Sequence, residues 1–305
     1  MGLRRIELCR EDGSSLRTVL IDECTGAPHE FRGVYRGGLL RALQSAVPPD
    51  CIRYGCAVSS VDQDDTVLSG ELAYGTGVDI TMESGERMRA PVVIGADGVR
   101  SRIAKALGLG EANYAGYIAY RCPVADRSGP TAVITDPEEC RADALETVKG
   151  WSSEITDAIK CTPAERITRS RIADRWLKPG RPFGSGRITL VGDAAHPMTP
   201  NLGQGGCVAL EDAIVLARAL RDVMGPAAST SAADVSTATS IQTALREYEV
   251  ERSSRVLKIS VRSNLMGTVL QIPFAPVVAA RNYAVEKFLP VKDFLDHASY
   301  DCGTL

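Results

Sequence analysis

Residues 187–206 carry the side chains with most chemistry to offer: Arg-Ile-Thr-Leu-Val-Gly-Asp-Ala-Ala-His-Pro-Met-Thr-Pro-Asn-Leu-Gly-Gln-Gly-Gly. An apolar run ends at Gly192 and Asp193, a Pro-punctuated loop follows, and Gly203, Gly205 and Gly206 open a helix. One carboxylate then stands at the carboxyl end of a buried strand, and a row of free N–H groups stands at a helix start. A polyhydroxylated, anionic cofactor can use both.

A second strand-to-helix junction lies upstream. Val92, Val93 and Ile94 form a continuous apolar run, as in a parallel strand covered on both faces, and Gly95-Ala96-Asp97-Gly98 turns out of it. Gly98 permits the tight turn, and Asp97 faces out of the strand end. Ile103, Ala104 and Leu107 then give the next helix one stripe against the sheet. In a third element, Leu39, Leu40 and Leu43 make an apolar helix face, and Arg36 sits at its start within reach of a phosphate.

In this order the segments resemble the aromatic-hydroxylase class of FAD-dependent monooxygenases, the plant-type branch related to zeaxanthin epoxidase and salicylate hydroxylase. Val34, Arg36, Leu39 and Leu43 match the family's arginine-containing helix start. Gly95 to Arg102 match its Asp-Gly motif, and Gly192 to Pro197 with the following glycines match its Gly-Asp motif. Tyr248, Glu249, Arg252 and Arg255 match a weaker late-helix pattern. The likeness runs with gaps from about residue 32 to 265. It implies an α/β chain with a Rossmann-like, three-layer FAD-binding domain, incomplete here, formed by residues 32–110 and 186–266. A β-hairpin (1–31), a reduced β-rich substrate domain (111–185) and a helical tail (267–305) complete the expected organisation.

The resemblance also implies roles. Asp193 accepts a hydrogen bond from a ribityl hydroxyl, with Gly192 and Ala194 beside it. Pro197, Gly203, Gln204 and Gly205 lie against the reactive isoalloxazine. Gly203, Gly205 and Gly206 bring N–H groups and the positive end of a helix to the flavin N1–C2 edge. Arg36, Asp97 and Gly98 belong to the cofactor region, and the Asp-Gly motif also serves the nicotinamide donor. The implied reaction takes NAD(P)H and O2 through a flavin C4a-hydroperoxide to a small aromatic or isoprenoid substrate. Two other readings stand beside it: a non-catalytic binding or regulatory remnant, and a reductase of the same fold.

The departures are specific. The family opens with a strand, a Gly-x-Gly-x-x-Gly turn and a helix, whereas Met1 to Gly13 read as a β-hairpin. Gly75-Thr76-Gly77 comes nearest to the fingerprint but lacks the third glycine and precedes alternating, strand-like residues. Losing about three charge-assisted bonds to a pyrophosphate costs roughly 4–9 kcal/mol, or about three to six decades in affinity. It also leaves neighbouring strands with unpaired edges. A second shortening is expected after Tyr117 to Arg121, where a helix-like segment, residues 138–159, replaces substrate-covering strands.

Bulk properties bound the partners. The 305 residues carry a net charge of -3, without a basic patch, which excludes nucleic acid as an expected partner. The arginine-rich segments 166–175 and 246–262 read as solvated faces. Nine cysteines without a C-x-x-C pair and three histidines predict neither a disulfide framework nor a metal site. A reducing compartment follows, the cytoplasm or, with a leading segment, a plastid or other organelle. The apolar stretch 265–289 is interrupted by Pro273, Pro276, Arg281 and Glu286 and predicts a helix pair rather than a membrane span. Elsewhere, strands are expected at 53–63 and 167–176, a hairpin at 78–89, helices at 207–223 and 241–266, and a loop at 227–240. His196 reads as structural, and Glu211 and Asp212 as partners of the helix dipole rather than catalysts.

Overall fold

The computed structural model describes residues 2–25, 31–64, 77–121, 136–224, 235–290, 292 and 295–304. Two units partition the chain. One holds Met1–Ile52, Gly116–Ile172 and Val269–Tyr300; the other holds Arg53–Ala115, Ala173–Thr268 and Asp301–Leu305.

The first unit begins with the expected hairpin. Strand β1 (Gly2–Leu3) pairs β4 (Phe31–Arg32), and β2 (Arg5–Cys9) pairs β3 (Ser15–Leu20), both antiparallel. Gly13 at φ +86° takes the left-handed turn position. Helix α1 (Arg36–Ser45) follows, and its Leu39, Leu40 and Leu43 are exposed rather than forming a covered apolar face.

In the second unit, β5 (Val58–Asp64), β6 (Gly77–Met82) and β7 (Arg87–Ala90) form an antiparallel meander. The strand expected from residue 53 begins only at Val58, because Gly55 at φ +71° breaks the extended run. The hairpin at Ser84-Gly85 is present, with Gly85 at φ +85°. The Gly75-Thr76 turn lies outside the described residues. Next come β8 (Val93–Gly95) and α2 (Arg102–Ala106), whose Ile103 and Ala104 are buried.

The chain returns to the first unit through β9 (Asn113–Arg121), α3 (Pro137–Thr147) and α4 (Ser153–Cys161). Residues 138–159 are thus two helices rather than one. Gly150, at φ +87°, takes a conformation no helix interior accepts. Strand β10 (Thr168–Asp174) pairs β9.

Three elements then build the core of the second unit: β11 (Ile188–Leu190), α5 (Gly205–Met224) and α6 (Val235–Leu270). Helix α6 buries Ile241, Leu245, Tyr248, Arg252, Val256, Ile259 and Ser263, a stripe spaced by threes and fours. It starts inside the expected 227–240 loop, of which residues 227–234 are outside the described set. Its buried stripe carries the helix through a Ser/Thr/Ala run whose propensity cost per residue is small. Helix α7 (Ala275–Phe288) buries no residue. Among the described residues, no helix is long and apolar enough to cross a membrane.

The two chemistry-bearing strands meet in one sheet. β8 and β11 run parallel, with Val93 opposite Ile188, Ile94 opposite Thr189 and Gly95 opposite Leu190. Ile94 nevertheless stays 43% exposed, so the expectation of a strand covered on both faces fails at that residue. Gly95 is buried because a side chain does not fit: a Cβ there would lie 2.6 Å from Leu190 Cδ2 and 2.9 Å from Ile103 Cβ. Gly95→Ala is expected to destabilise the fold by about 1–3 kcal/mol through overpacking. Gly33→Ser, in open space and without a left-handed backbone, should cost less. Thermal denaturation of the two variants checks the order.

Candidate functional site

Because β8 and β11 are parallel and in register, their carboxyl ends lie side by side. The backbone bond Val191 N–H to Gly95 O, 3.0 Å, extends the pairing past Leu190. Asp97 and Asp193 therefore leave the same end of the same sheet. Both are exposed, yet their engagement differs. Asp97 Oδ1 accepts from Ser101 Oγ, and Oδ2 accepts from the backbone N–H of Arg102 at 2.8 Å and of Ile103 at 3.4 Å. It caps α2, with Gly98 at φ +79° making the turn. Asp193 has no hydrogen-bond or ion-pair partner among the described residues.

The loop that presents Asp193 is held from within by Asp212, which is fully buried on α5. Its Oδ2 accepts from Gly192 N–H at 2.8 Å and lies 2.6 Å from His196 Nε2, and its Oδ1 accepts from Arg252 Nε at 2.7 Å. Burial alone would raise the Asp212 pKa. The His196 hydrogen bond and charge, the Arg252 charge and the Gly192 N–H outweigh it and hold the carboxyl below its usual range. Arg252 also donates to Glu211, which Arg255 meets from the next turn at 3.0 Å. The Tyr248 hydroxyl donates to Leu190 O, 3.0 Å, at the end of β11. Glu249 accepts from Thr189 Oγ1 and from Phe183 N–H. The late-helix pattern thus fastens α6 to β11 and α5.

A second set of bonds holds the outer half of the loop. Arg175 N–H donates to Pro197 O at 2.9 Å, while its guanidinium donates to Ala194 O at 2.8 Å and to Gly110 O at 3.0 Å. Thr199 and Ser263 exchange hydrogen bonds, and Asn201 Nδ2 donates to Ser263 O. Gly267 on α6 leaves room for Asn201, whose Nδ2 would lie 2.2 Å from any Cβ.

The loop ends on glycines with open surroundings. Gly203 is at φ +64°, and nothing lies within 4 Å of an added Cβ at Gly203 or Gly206. Gln204 is buried, and its carbonyl accepts from Val208 N–H, the first bond inside α5. The N–H groups of Gly205, Gly206 and Cys207 have no acceptor among the described residues, so the positive end of a twenty-residue helix faces outward there.

Gly192, Asp193, Ala194, Pro197, Gly203, Gln204, Gly205 and Gly206 therefore belong to one continuous loop and helix start, beside the turn that holds Asp97 and Gly98. Arg36 is exposed at the first position of α1 in the other unit. The arginine-rich segments are not solvated throughout: Arg175 and Arg252 are buried, Arg252 because two carboxylates neutralise it and Arg175 because carbonyl oxygens receive it. Asp212 is a structural hub rather than a partner of the helix dipole alone. The signal for it was Arg252, an arginine on the apolar stripe of α6 that requires a counter-charge.

Removing Asp212 leaves Arg252 and His196 buried without their shared acceptor. Asp212→Ala is expected to cost about 3–5 kcal/mol. Since the folded pKa of Asp212 is depressed, its contribution is complete above the unfolded value of about 3.9 and disappears as pH falls through the folded one. Denaturant titrations at neutral and acid pH should show the gap between wild type and Asp212→Ala narrowing only toward acid.

Comparison with known proteins shows the family. The family profile described as "FAD binding domain" matches residues 135–249. Zeaxanthin epoxidase of Nicotiana plumbaginifolia is 30% identical over 74% of this chain, which spans 37% of that protein's length. The 3-amino-4-hydroxybenzoate 2-monooxygenase PtmB3 of Streptomyces platensis is 30% identical, with 96% of this chain covering 76% of it. Among solved structures, Klebsiella pneumoniae HpxO complexed with FAD and uric acid has the same fold, with a TM-score of 0.73 and 23% identity over 99% of this chain and 82% of that one. By its similarity to these proteins the chain belongs to the FAD-dependent monooxygenase family of the aromatic-hydroxylase type.

Proposed function

We propose that this protein is an FAD-dependent hydroxylase or epoxidase that uses NAD(P)H and O2 on a small aromatic or isoprenoid substrate. One observation carries the reading: the parallel register of β8 and β11 sets Asp97 and Asp193 at one sheet end. The residues present fit the isoalloxazine and ribityl part of FAD. Asp193 offers an unengaged carboxylate, the first turn of α5 offers three N–H groups, and Gly203 and Gly206 leave space for close approach.

Bound FAD supplies the redox chemistry, taking hydride from the nicotinamide and passing electrons to O2. The chain's own residues bind and orient. Asp193 accepts from a ribityl hydroxyl, with Gly192 and Ala194 setting its backbone. Gly205 and Gly206 donate toward the N1–C2 edge, where the α5 dipole favours negative charge. Pro197 and Gln204 border the same ring, and Asp97 and Gly98 serve the cofactor region from the neighbouring turn. A second reading is a non-catalytic binding or regulatory polypeptide.

Titration of the purified protein with FAD separates these readings. A visible flavin band with oxygen-dependent NAD(P)H consumption is the expected result, and soluble protein that stays colourless at saturating FAD selects the second reading. A flavin band without oxygen-dependent NAD(P)H consumption overturns the hydroxylase reading. Asp193→Ala should weaken FAD binding by about ten- to a hundred-fold, the loss of one charged hydrogen bond worth about 1.5–3 kcal/mol.

A further inference from the structure

Two buried arginines flank the Asp193 loop, and they differ in kind. Arg252 faces Asp212 and Glu211, so its charge is neutralised where it stands. Arg175 is also buried, at 9% exposure, but among the described residues it forms no ion pair. Its bonds go to carbonyl oxygens: Nε to Gly110 O, Nη1 to Ala194 O and, at 3.5 Å, to Ala195 O. Its neighbour Asp174 is committed elsewhere, accepting from Trp176 Nε1 at 2.9 Å and Asn264 Nδ2 at 2.8 Å. A guanidinium does not give up its proton near neutral pH, so a full positive charge sits under the two carbonyls that follow Asp193, those of Ala194 and Ala195. Uncompensated buried charge is costly to keep. A purely structural clamp on backbone carbonyls needs no such charge, and a neutral amide would serve.

We propose that Arg175 is a positioning residue for the flavin seat and also its source of positive potential: it holds Ala194 in place, and its unneutralised charge favours electron density on the bound isoalloxazine. The inference rests on the flavin reading above. Low-dielectric surroundings let one charge act over several ångströms, where bulk water would quench it. Together with the outward-facing start of α5, it puts two positive sources on the same loop.

The charge can be cancelled without touching the arginine. Gly110 is exposed, has an ordinary backbone conformation and leaves nothing within 4 Å of a new Cβ, and its own carbonyl already meets Arg175 Nε. Gly110→Asp brings a negative charge to the residue whose carbonyl meets the guanidinium, and Gly110→Asn is the neutral control. The probe is sulfite, which adds its lone pair to flavin N5 and moves an electron pair onto the N1–C2 edge, bleaching the flavin band. FAD-loaded wild type, Gly110→Asp, Gly110→Asn, Arg175→Lys and Arg175→Gln are titrated with it. Gly110→Asp should bind sulfite roughly ten-fold more weakly than Gly110→Asn, as expected for one charge cancelled at short range. Arg175→Lys should stay closer to wild type than Arg175→Gln. Equal sulfite affinity in the Gly110 pair overturns the inference and leaves the flavin assignment standing, even if Arg175→Gln fails to fold. A wild type that takes up no FAD overturns both.

Discussion

The second unit depends on one buried carboxylate. Asp212 gathers a peptide N–H from the strand end, an imidazole from the loop and a guanidinium from α6. Gly192 and His196 belong to one loop and Arg252 to α6, so a single acceptor on α5 fixes loop and both helices against each other. Ionised groups at full burial are tolerated only when their partners saturate them. Here the charges of Asp212 and Glu211 are balanced by Arg252 and Arg255, and the loop bearing Asp193 inherits its shape from that cluster. The apolar stripe of α6 brings the partners together, and the charges then set the register.

Charge placement around the loop is asymmetric. Inward, opposite charges cancel at Arg252 but not at Arg175; outward, Asp193 stands alone at the strand end while helix α5 presents bare N–H groups. A cofactor with hydroxyls at one end of its ring system and an electron-poor carbonyl edge at the other suits that division. The donors on this face are main-chain atoms, and the surroundings of Gly203 and Gly206 are open.

Much of this was legible in the residues themselves. Apolar runs ending in Gly-Asp and Ala-Asp-Gly gave both strand ends, and three-and-four spacing gave α5 and α6. The hairpins at Gly13 and Gly85 followed from alternation interrupted by glycine. What escaped reading was tertiary. Arginines such as 175 and 252 look solvated in sequence because their partners lie dozens of residues away. Helix breaks such as that at Gly150 depend on a single dihedral angle, and the exposure of Ile94 on what was expected to be a fully covered strand depends on which elements stand beside it. Asp97 shows the same limit, since one side chain satisfies the pattern for a ligand contact and the pattern for a helix cap.

The two fastenings of the loop differ in what can loosen them. Near Gly192 and His196 the hold runs through the Asp212 carboxylate and answers to protons. Near Thr199 and Asn201 it is made of hydroxyl, amide and carbonyl groups that do not titrate. Acidification would therefore loosen the grip of Asp212 alone, while Arg175 kept Ala194 and Pro197 in place and Ser263 kept Thr199 and Asn201. The segment would slacken at one point instead of detaching whole, and on neutralisation it would reseat on attachments it never lost.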